Sequence, residues 1–151
     1  MTETRRLREA EALAGTSRAL VAIVVRSMAA GSAEVTVAQH RVLVLLEERG
    51  ALSVNALAEG LGVDQSNASR HCSRLARLGL VSRNRAPHDG RAVEVRLTPE
   101  GRRQVAAVDQ ARSREIQRVL DRLPDPSVAE VVKAFELFHE AAGAAGLAAA
   151  P

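Results

Sequence analysis

Between residues 53 and 98 the apolar spacing changes period once, from that of a helix to that of a strand. No other feature of the chain restricts its fold as much. Ser53 precedes a short helical stretch through Glu59 that would bury Val54, Leu57, Ala58 and Leu61. Gly60-Leu61-Gly62-Val63 follows, a short glycine-containing connection of the kind that joins two crossed helices. Asp64 then reads as an N-cap and Gly79 as a stop just past the last turn. Between them Ala68, Cys72 and Leu75, with Gly79, recur at helical spacing and give one small apolar face. After Gly79, Val81, Arg83 and Arg85 alternate with Ser82 and Asn84, and later Val93, Val95 and Leu97 alternate with Glu94 and Arg96. The Asp89-Gly90 pair between the two runs is a hairpin signal. Helix, turn, helix and hairpin together form the pattern of a winged helix-turn-helix.

The face of the second helix opposite its apolar one carries Ser66, Ser69, Arg70, Ser73, Arg74 and Arg77, and no acid falls between Gln65 and Leu80. Short hydroxyls beside arginines suit a surface that approaches a polyanion closely and hydrogen-bonds it. The alternative is a solvated surface helix, but such faces normally mix both charge signs. The net charge of +3 hides an uneven distribution. Residues 70–103 hold nine arginines against three acids, whereas the rest of the chain holds twelve bases against fifteen acids. Positive charge focused on one module is the electrostatic footprint of a polyanion binder.

The two chain ends read as helices. Residues 4–30 carry a stripe of Leu13, Leu20, Val24 and Met28, widened by Ala10, Ala14, Val21 and Val25, until Gly31-Ser32 breaks it. Thr36 and Gln39 form a capping box that opens a helix running to Gly50. Its core stripe is expected at Ala38, Val42, Leu45 and Leu46, broadened by Val37 and Leu43. Thr98-Pro99-Glu100 restarts helix after the hairpin, through about Leu123, with Val105, Val108, Ile116, Val119 and Leu123 inward. Pro124-Asp125-Pro126 opens the last helix, expected to bury Val128, Val131, Val132, Phe135 and Phe138 before the Gly143–Pro151 end frays. The expected fold is therefore mainly α. It combines a winged helix-turn-helix lobe at 36–98 with a helical dimerisation lobe made from both chain ends, residues 1–35 and 99–151.

A core confined to 36–98 cannot cover all the terminal stripes. Leu13, Leu20 and Val24 from one end, and Val128, Val132 and Phe135 from the other, are expected to meet each other and a second copy across a two-fold axis. The single cysteine rules out a disulfide within the chain, no apolar run approaches membrane-spanning length, and residues 1–30 lack a signal-peptide layout. A soluble protein of the cytoplasm, with no membrane partner, is the resulting expectation. No histidine, cysteine and carboxylate cluster has metal-site spacing, and no nucleophile–base pairing or phosphate loop is present. No catalytic residue, metal or cofactor is expected.

Several stretches carry a resemblance. They are Thr36-Val-Ala-Gln39-His-Arg-Val-Leu43, Ser53-Val-Asn-Ala-Leu57-Ala58, Asp64-Gln-Ser-Asn-Ala68-Ser69-Arg70, Leu75-Ala-Arg-Leu78-Gly79-Leu80-Val81, and Asp89-Gly90-Arg91 through Leu97-Thr98-Pro-Glu-Gly101. Over nearly its whole length the chain resembles the MarR family of bacterial transcription regulators, named for multiple antibiotic resistance. The resemblance implies a homodimeric winged-helix regulator, commonly a repressor, that binds a palindromic site in double-stranded DNA and is released by a small-molecule effector or an oxidant. By matching position, Arg91 would enter the minor groove from the wing and Asp89 would orient it. Gln65, Ser66, Ser69, Arg70, Ser73, Arg74 and Arg77 would line the major groove. Arg83 and Arg85 would touch phosphate or structure the hairpin. The chain departs from the family where many members place aromatic residues for phenolic ligands: His40 stands there instead, as a ligand-binding donor or as a structural residue of the junction. Cys72 falls on the apolar face, where a cysteine behaves as a small apolar residue, and an oxidant-sensing role would need it exposed.

Two function classes compete at this stage. One is a sequence-specific DNA-binding regulator; the other is a winged-helix module whose basic face meets an acidic protein. Salt dependence separates them, because binding to duplex DNA releases counterions and weakens steeply with salt.

Overall fold

Capping chemistry sets most of the element boundaries. The computed structural model describes residues 3–86 and 89–145, with residues 86 and 89–92 described by their backbone. In chain order the elements are α1 (Glu3–Met28), α2 (Val37–Arg49), β1 (Leu52–Ser53), α3 (Val54–Leu61), α4 (Gln65–Arg77), β2 (Val81–Ala86), β3 (Asp89–Leu97), α5 (Pro99–Leu120) and α6 (Asp125–Ala144). The chain is mainly helical, with one small antiparallel sheet ordered β1-β3-β2.

At the start of α2 the Thr36 hydroxyl accepts the Gln39 backbone N–H (3.2 Å) and the Gln39 side-chain oxygen Oε1 accepts the Thr36 N–H (3.0 Å), a complete capping box. Ser53 caps α3 through the Ala56 N–H at 3.1 Å, and Asp64 caps α4 through the Asn67 N–H at 2.8 Å. Gly62 and Gly79 close α3 and α4 at φ values of +66° and +72°, a left-handed turn that only glycine adopts cheaply. Thr98 caps α5 and also donates its hydroxyl to the Gly79 carbonyl at 2.7 Å, so the end of α4 and the start of α5 are tied at one point.

The core sits where α2, α3, α4, the sheet and the first half of α5 converge. Leu43, Leu57, Leu75, Val42, Val95, Val108 and Cys72 are completely enclosed, and burying each such aliphatic side chain contributes roughly 1.5–3 kcal/mol. In the hairpin Val81 lies opposite Leu97 and Arg83 opposite Val95, with an irregularity between Arg85 and Ala86.

Gly101 fits this packing through its lack of a side chain. A Cβ there would lie 2.1 Å from the Leu80 carbonyl oxygen and 2.9 Å from Leu97 Cδ2. The backbone oxygen cannot swing aside, so Gly101→Ala is expected to cost about 3 kcal/mol, the upper range for overpacking. A denaturant titration with unchanged slope and a lowered midpoint is the expected result. An unchanged midpoint would mean that the α4–α5 junction is looser than this packing implies.

Several sequence expectations need correction. Val37 and Ala38 are exposed, while Gln39 and His40 are buried. The reason is that α2 lies between α3, α4, β3 and α5, so more than one face is covered and a single stripe does not describe it. The pairing of Leu52 with Val95 adds a third strand that the period-two reading omitted. In α5, Val105 and Val108 are buried as expected, but Ile116 and Val119 are exposed; the helix ends at Leu120, and Leu123, beyond it, is half-buried. No residue of α6 is buried: Val128 and Val131 are half-buried, and Val132, Phe135 and Phe138 are exposed. The terminal stripes exist but are only partly covered within one chain: Val24, Met28, Val128 and Val131 are half-buried, and Leu13, Leu20, Val132 and Phe135 are exposed. The last helix runs through Gly143 to Ala144, so the frayed end does not begin at Gly143 as expected, and the rest of that stretch, 146–151, lies outside the described residues.

Candidate nucleic-acid interface

The second helix of the helix-turn-helix, α4, buries Ala68, Cys72 and Leu75 against the core, so its other side is turned outward. Helical spacing then leaves Gln65, Ser66, Arg70 and Arg77 exposed, with Ser69, Ser73 and Arg74 half-buried beside them. Arg83 and Arg85 are exposed on β2, which leads to the hairpin tip. The 3.0 Å bond from Arg83 to Ser73 brings β2 beside the outer side of α4. The backbone of Asp89 and Arg91 lies in β3, while their side chains, and with them the expected wing contacts, lie outside the described residues.

These polar side chains are held by one another. Asp64 accepts from the Ser66 hydroxyl (2.6 Å), from the Asn67 N–H and from the Asn67 side-chain amide. The Asn67 side-chain oxygen in turn accepts from Arg70. Arg83 donates to Ser73 Oγ at 3.0 Å, and Arg74 donates to the Glu34 carboxylate at 2.6 Å. Hydrogen bonds from Ser66 and from the Asn67 N–H hold the Asp64 carboxyl below its usual range, so the cap stays charged at neutral pH. Asn67, Arg70, Ser73 and Arg83 are therefore oriented before any partner arrives, which lowers the entropy lost on binding. Asn67 was missed by sequence reasoning, although its position three residues before Arg70 is a legible helical neighbour relation. Glu34 was missed because forty residues separate it from Arg74.

Cys72 is fully enclosed, and burial pushes its thiol pKa up, against a smaller opposing influence of Arg83. A protonated, enclosed thiol is a poor oxidant sensor.

A second feature lies where the lobes meet. Val24, Val37, Val44, Leu45 and Leu61, with His40, Arg41, Glu48, Gly60 and Arg112, line an open cavity of about 250 Å³. His40 is buried, and neither ring nitrogen has a hydrogen-bond partner; the buried Nε of Arg112 also lacks one, among the described residues. Burial, and next the Arg112 charge, lower the His40 pKa, with Asp109 opposing. Arg112 was invisible to sequence reasoning because it reaches the cavity from α5, remote in sequence from His40.

The residues expected at a dimer interface divide. Leu13, Leu20 and Phe135, with Thr16, Ser17, Ala134 and Phe138, line an apolar groove of about 310 Å³ between α1 and α6. Val24 lines the junction cavity instead, Val128 is half-buried, and Val132 is exposed. Among the described residues no helix is long and apolar enough to cross a membrane, and no cluster of three metal-ligating side chains occurs.

This architecture is that of a winged helix-turn-helix lobe carried on long terminal helices. The sequence pattern of the MarR family matches residues 33–92, the stretch that holds α2, α3, α4 and the first part of the hairpin. The chain is 32% identical over 78 residues to an uncharacterized HTH-type transcriptional regulator, YdgJ, of Bacillus subtilis, which covers 52% of this chain and 48% of that protein. The chain's matches span about half the length of the curated relatives. Among solved structures it is similar to RV1404 from Mycobacterium tuberculosis, with a TM-score of 0.86 and 32% identity over 95% of this chain and 96% of that one. It is also similar to a MarR family protein from Bacillus stearothermophilus, with a TM-score of 0.79 and 26% identity over 93% and 97%. The chain belongs to the MarR family of transcription regulators.

Proposed function

We propose that the chain is a homodimeric transcription regulator of the bacterial cytoplasm that binds a palindromic operator in double-stranded DNA, acting as a repressor that an effector releases. The observation that carries this reading is the exposed face of α4, where arginines and short hydroxyls stand with no acid of the same helix among them. The N-terminal half of such a helix enters a major groove, and its arginines reach guanine edges or phosphates. Arg91, at the matching position of the wing, is assigned to the minor groove, with Asp89 beside it.

In a salt series on full-length protein, duplex affinity is expected to fall by about a thousandfold between roughly 50 and 200 mM salt. Arg91→Ala is expected to weaken specific binding beyond an ordinary surface substitution while leaving the melting behaviour unchanged. Affinity that ignores salt, or a partner that proves to be an acidic protein, would reverse the assignment.

The effector is assigned to the junction cavity. His40 and the Nε of Arg112 lack hydrogen-bond partners there, while Arg112 also pairs with Asp109 and Glu48 lines the same pocket, which suits a small, largely apolar effector that carries one hydrogen-bonding group. His40 also makes stability depend on pH. Its folded-state pKa lies below the unfolded value, so the folded chain binds fewer protons. The associated stability is fully present above pH 6.5 and is lost progressively as pH falls below it toward the lower folded-state pKa. His40→Leu is expected to flatten the stability curve below pH 6.5, read by melting at a series of pH values. A curve that keeps its slope in the variant would place the acid sensitivity elsewhere.

A further inference from the structure

Of the arginines on the α4 and β2 face whose partners are described, Arg70 and Arg83 bond neutral acceptors, Asn67 and Ser73. Arg74 alone of these three meets a carboxylate, that of Glu34 at 2.6 Å. Glu34 belongs to neither helix of the helix-turn-helix. It stands in the short connection between α1 and α2, and that connection is fixed at both ends. The Ser32 N–H donates to the Gln104 side-chain oxygen of α5 at 2.8 Å, Gly31 packs against the same amide, and Val35 is buried in the core just before the Thr36 cap. The Glu34 N–H donates to Ser32 Oγ at 3.3 Å and the Val35 N–H to the Ser32 carbonyl at 3.1 Å. A carboxylate is thus presented from a rigid base beside the most basic surface of the molecule, where it would repel a phosphate backbone.

We infer that Glu34 is a specificity-determining residue that withholds Arg74 from non-matching DNA. The inference rests on the DNA-binding reading of α4 given above. The ion pair is exposed, with side-chain accessibilities of 38% for Arg74 and 59% for Glu34, and such pairs are weak. A bidentate contact with a guanine edge is stronger, so a matching groove can take Arg74 from Glu34. A single solvated phosphate gains little over the carboxylate it would replace. Glu34 therefore lowers affinity for random duplex more than affinity for the right site, and widens the gap between them.

Full-length wild type, Glu34→Gln, Glu34→Asp, Arg74→Ala and the Glu34→Gln/Arg74→Ala double variant would be compared by fluorescence anisotropy, on random duplex and on a site selected by the wild type, across a salt series. Glu34→Gln is expected to tighten random-duplex binding about two- to fivefold per recognition helix, the range that follows from releasing an exposed ion pair. It should also steepen the salt slope by about one per recognition helix, tighten the selected site less, and retain the wild-type melt. Glu34→Asp should behave as wild type, and the gain should vanish in the Arg74→Ala background. A folded Glu34→Gln protein that loses affinity for the selected site would show that Glu34 instead holds Arg74 in its binding position. The same gain with Arg74 absent would reduce the effect to general repulsion. Either result overturns the inference, as does unchanged binding by Glu34→Gln while the wild type binds normally. A wild type that binds no duplex at all overturns the DNA-binding reading and this inference together.

Discussion

Phe135→Glu is expected to yield a chain that neither associates normally nor holds its operator at wild-type strength. Phe135 is 45% exposed within one chain and faces Leu13 and Leu20 of α1 across an apolar groove. Leu137 and Phe138 on the same helix, and Val21 and Val25 on α1, are exposed by more than half. A monomer seldom leaves a surface of this kind open to water, and a second copy related by a two-fold axis is the occupant proposed for it. Joining two recognition helices in one particle raises affinity by about 10²–10⁴ when both half-sites are engaged. A carboxylate buried at the centre of that face has no partner, so the loss of DNA affinity should reach about a hundredfold. Folding should suffer as well, because an obligate apolar interface contributes to the stability of each copy. Sedimentation at micromolar concentration reads the association directly. A well-folded monomer that binds a palindrome with full affinity would show that the terminal stripes serve another purpose.

The second large effect is expected from Arg70→Ala. Arg70 is exposed on α4 and held by Asn67, which is itself held by the Asp64 cap, so its guanidinium is oriented from the helix start outward. An arginine placed in this way can bond a guanine edge with both of its donors, worth about 1–3 kcal/mol of discrimination against another base. The variant is expected to fold normally, to lose up to about a hundredfold in affinity for the operator, and to lose its preference at one base pair of each half-site. A uniform loss across all sequences would place Arg70 on phosphate and leave base reading to Gln65, the serines or Arg74.

What was legible in the sequence was local. The caps at Thr36, Ser53, Asp64 and Thr98 each act through a backbone N–H three residues away, and all four are formed as read. The buried face of α4 followed from its period, and so did the hairpin. The two-residue strand β1 was not legible, because two residues define no period and its pairing with Val95 depends on the whole lobe. The burial of Gln39 and His40 was missed because a helix enclosed on several sides no longer shows one apolar stripe. Ile116, Val132 and Phe135 were read as inward because their spacing demands cover, yet a sequence does not state whether that cover comes from the same chain. At the candidate site Gln65, Ser66, Arg70 and Arg77 are exposed on the outer side of α4, with Ser69, Ser73 and Arg74 half-buried beside them. The distant partners, Glu34 on Arg74 and, at the junction cavity, Arg112 beside His40, come together only in three dimensions.

Selection of binding sites from a random duplex library by the full-length protein tests the central claim most directly. If α4 reads a major groove from each half of a dimer, the bound pool should converge on an inverted repeat whose half-sites are centred about one helical turn apart, roughly 34–36 Å. Guanines should be enriched at the positions lost in the pool bound by Arg70→Ala. A pool that retains the composition of the starting library, at salt concentrations where the protein is folded, would contradict the account.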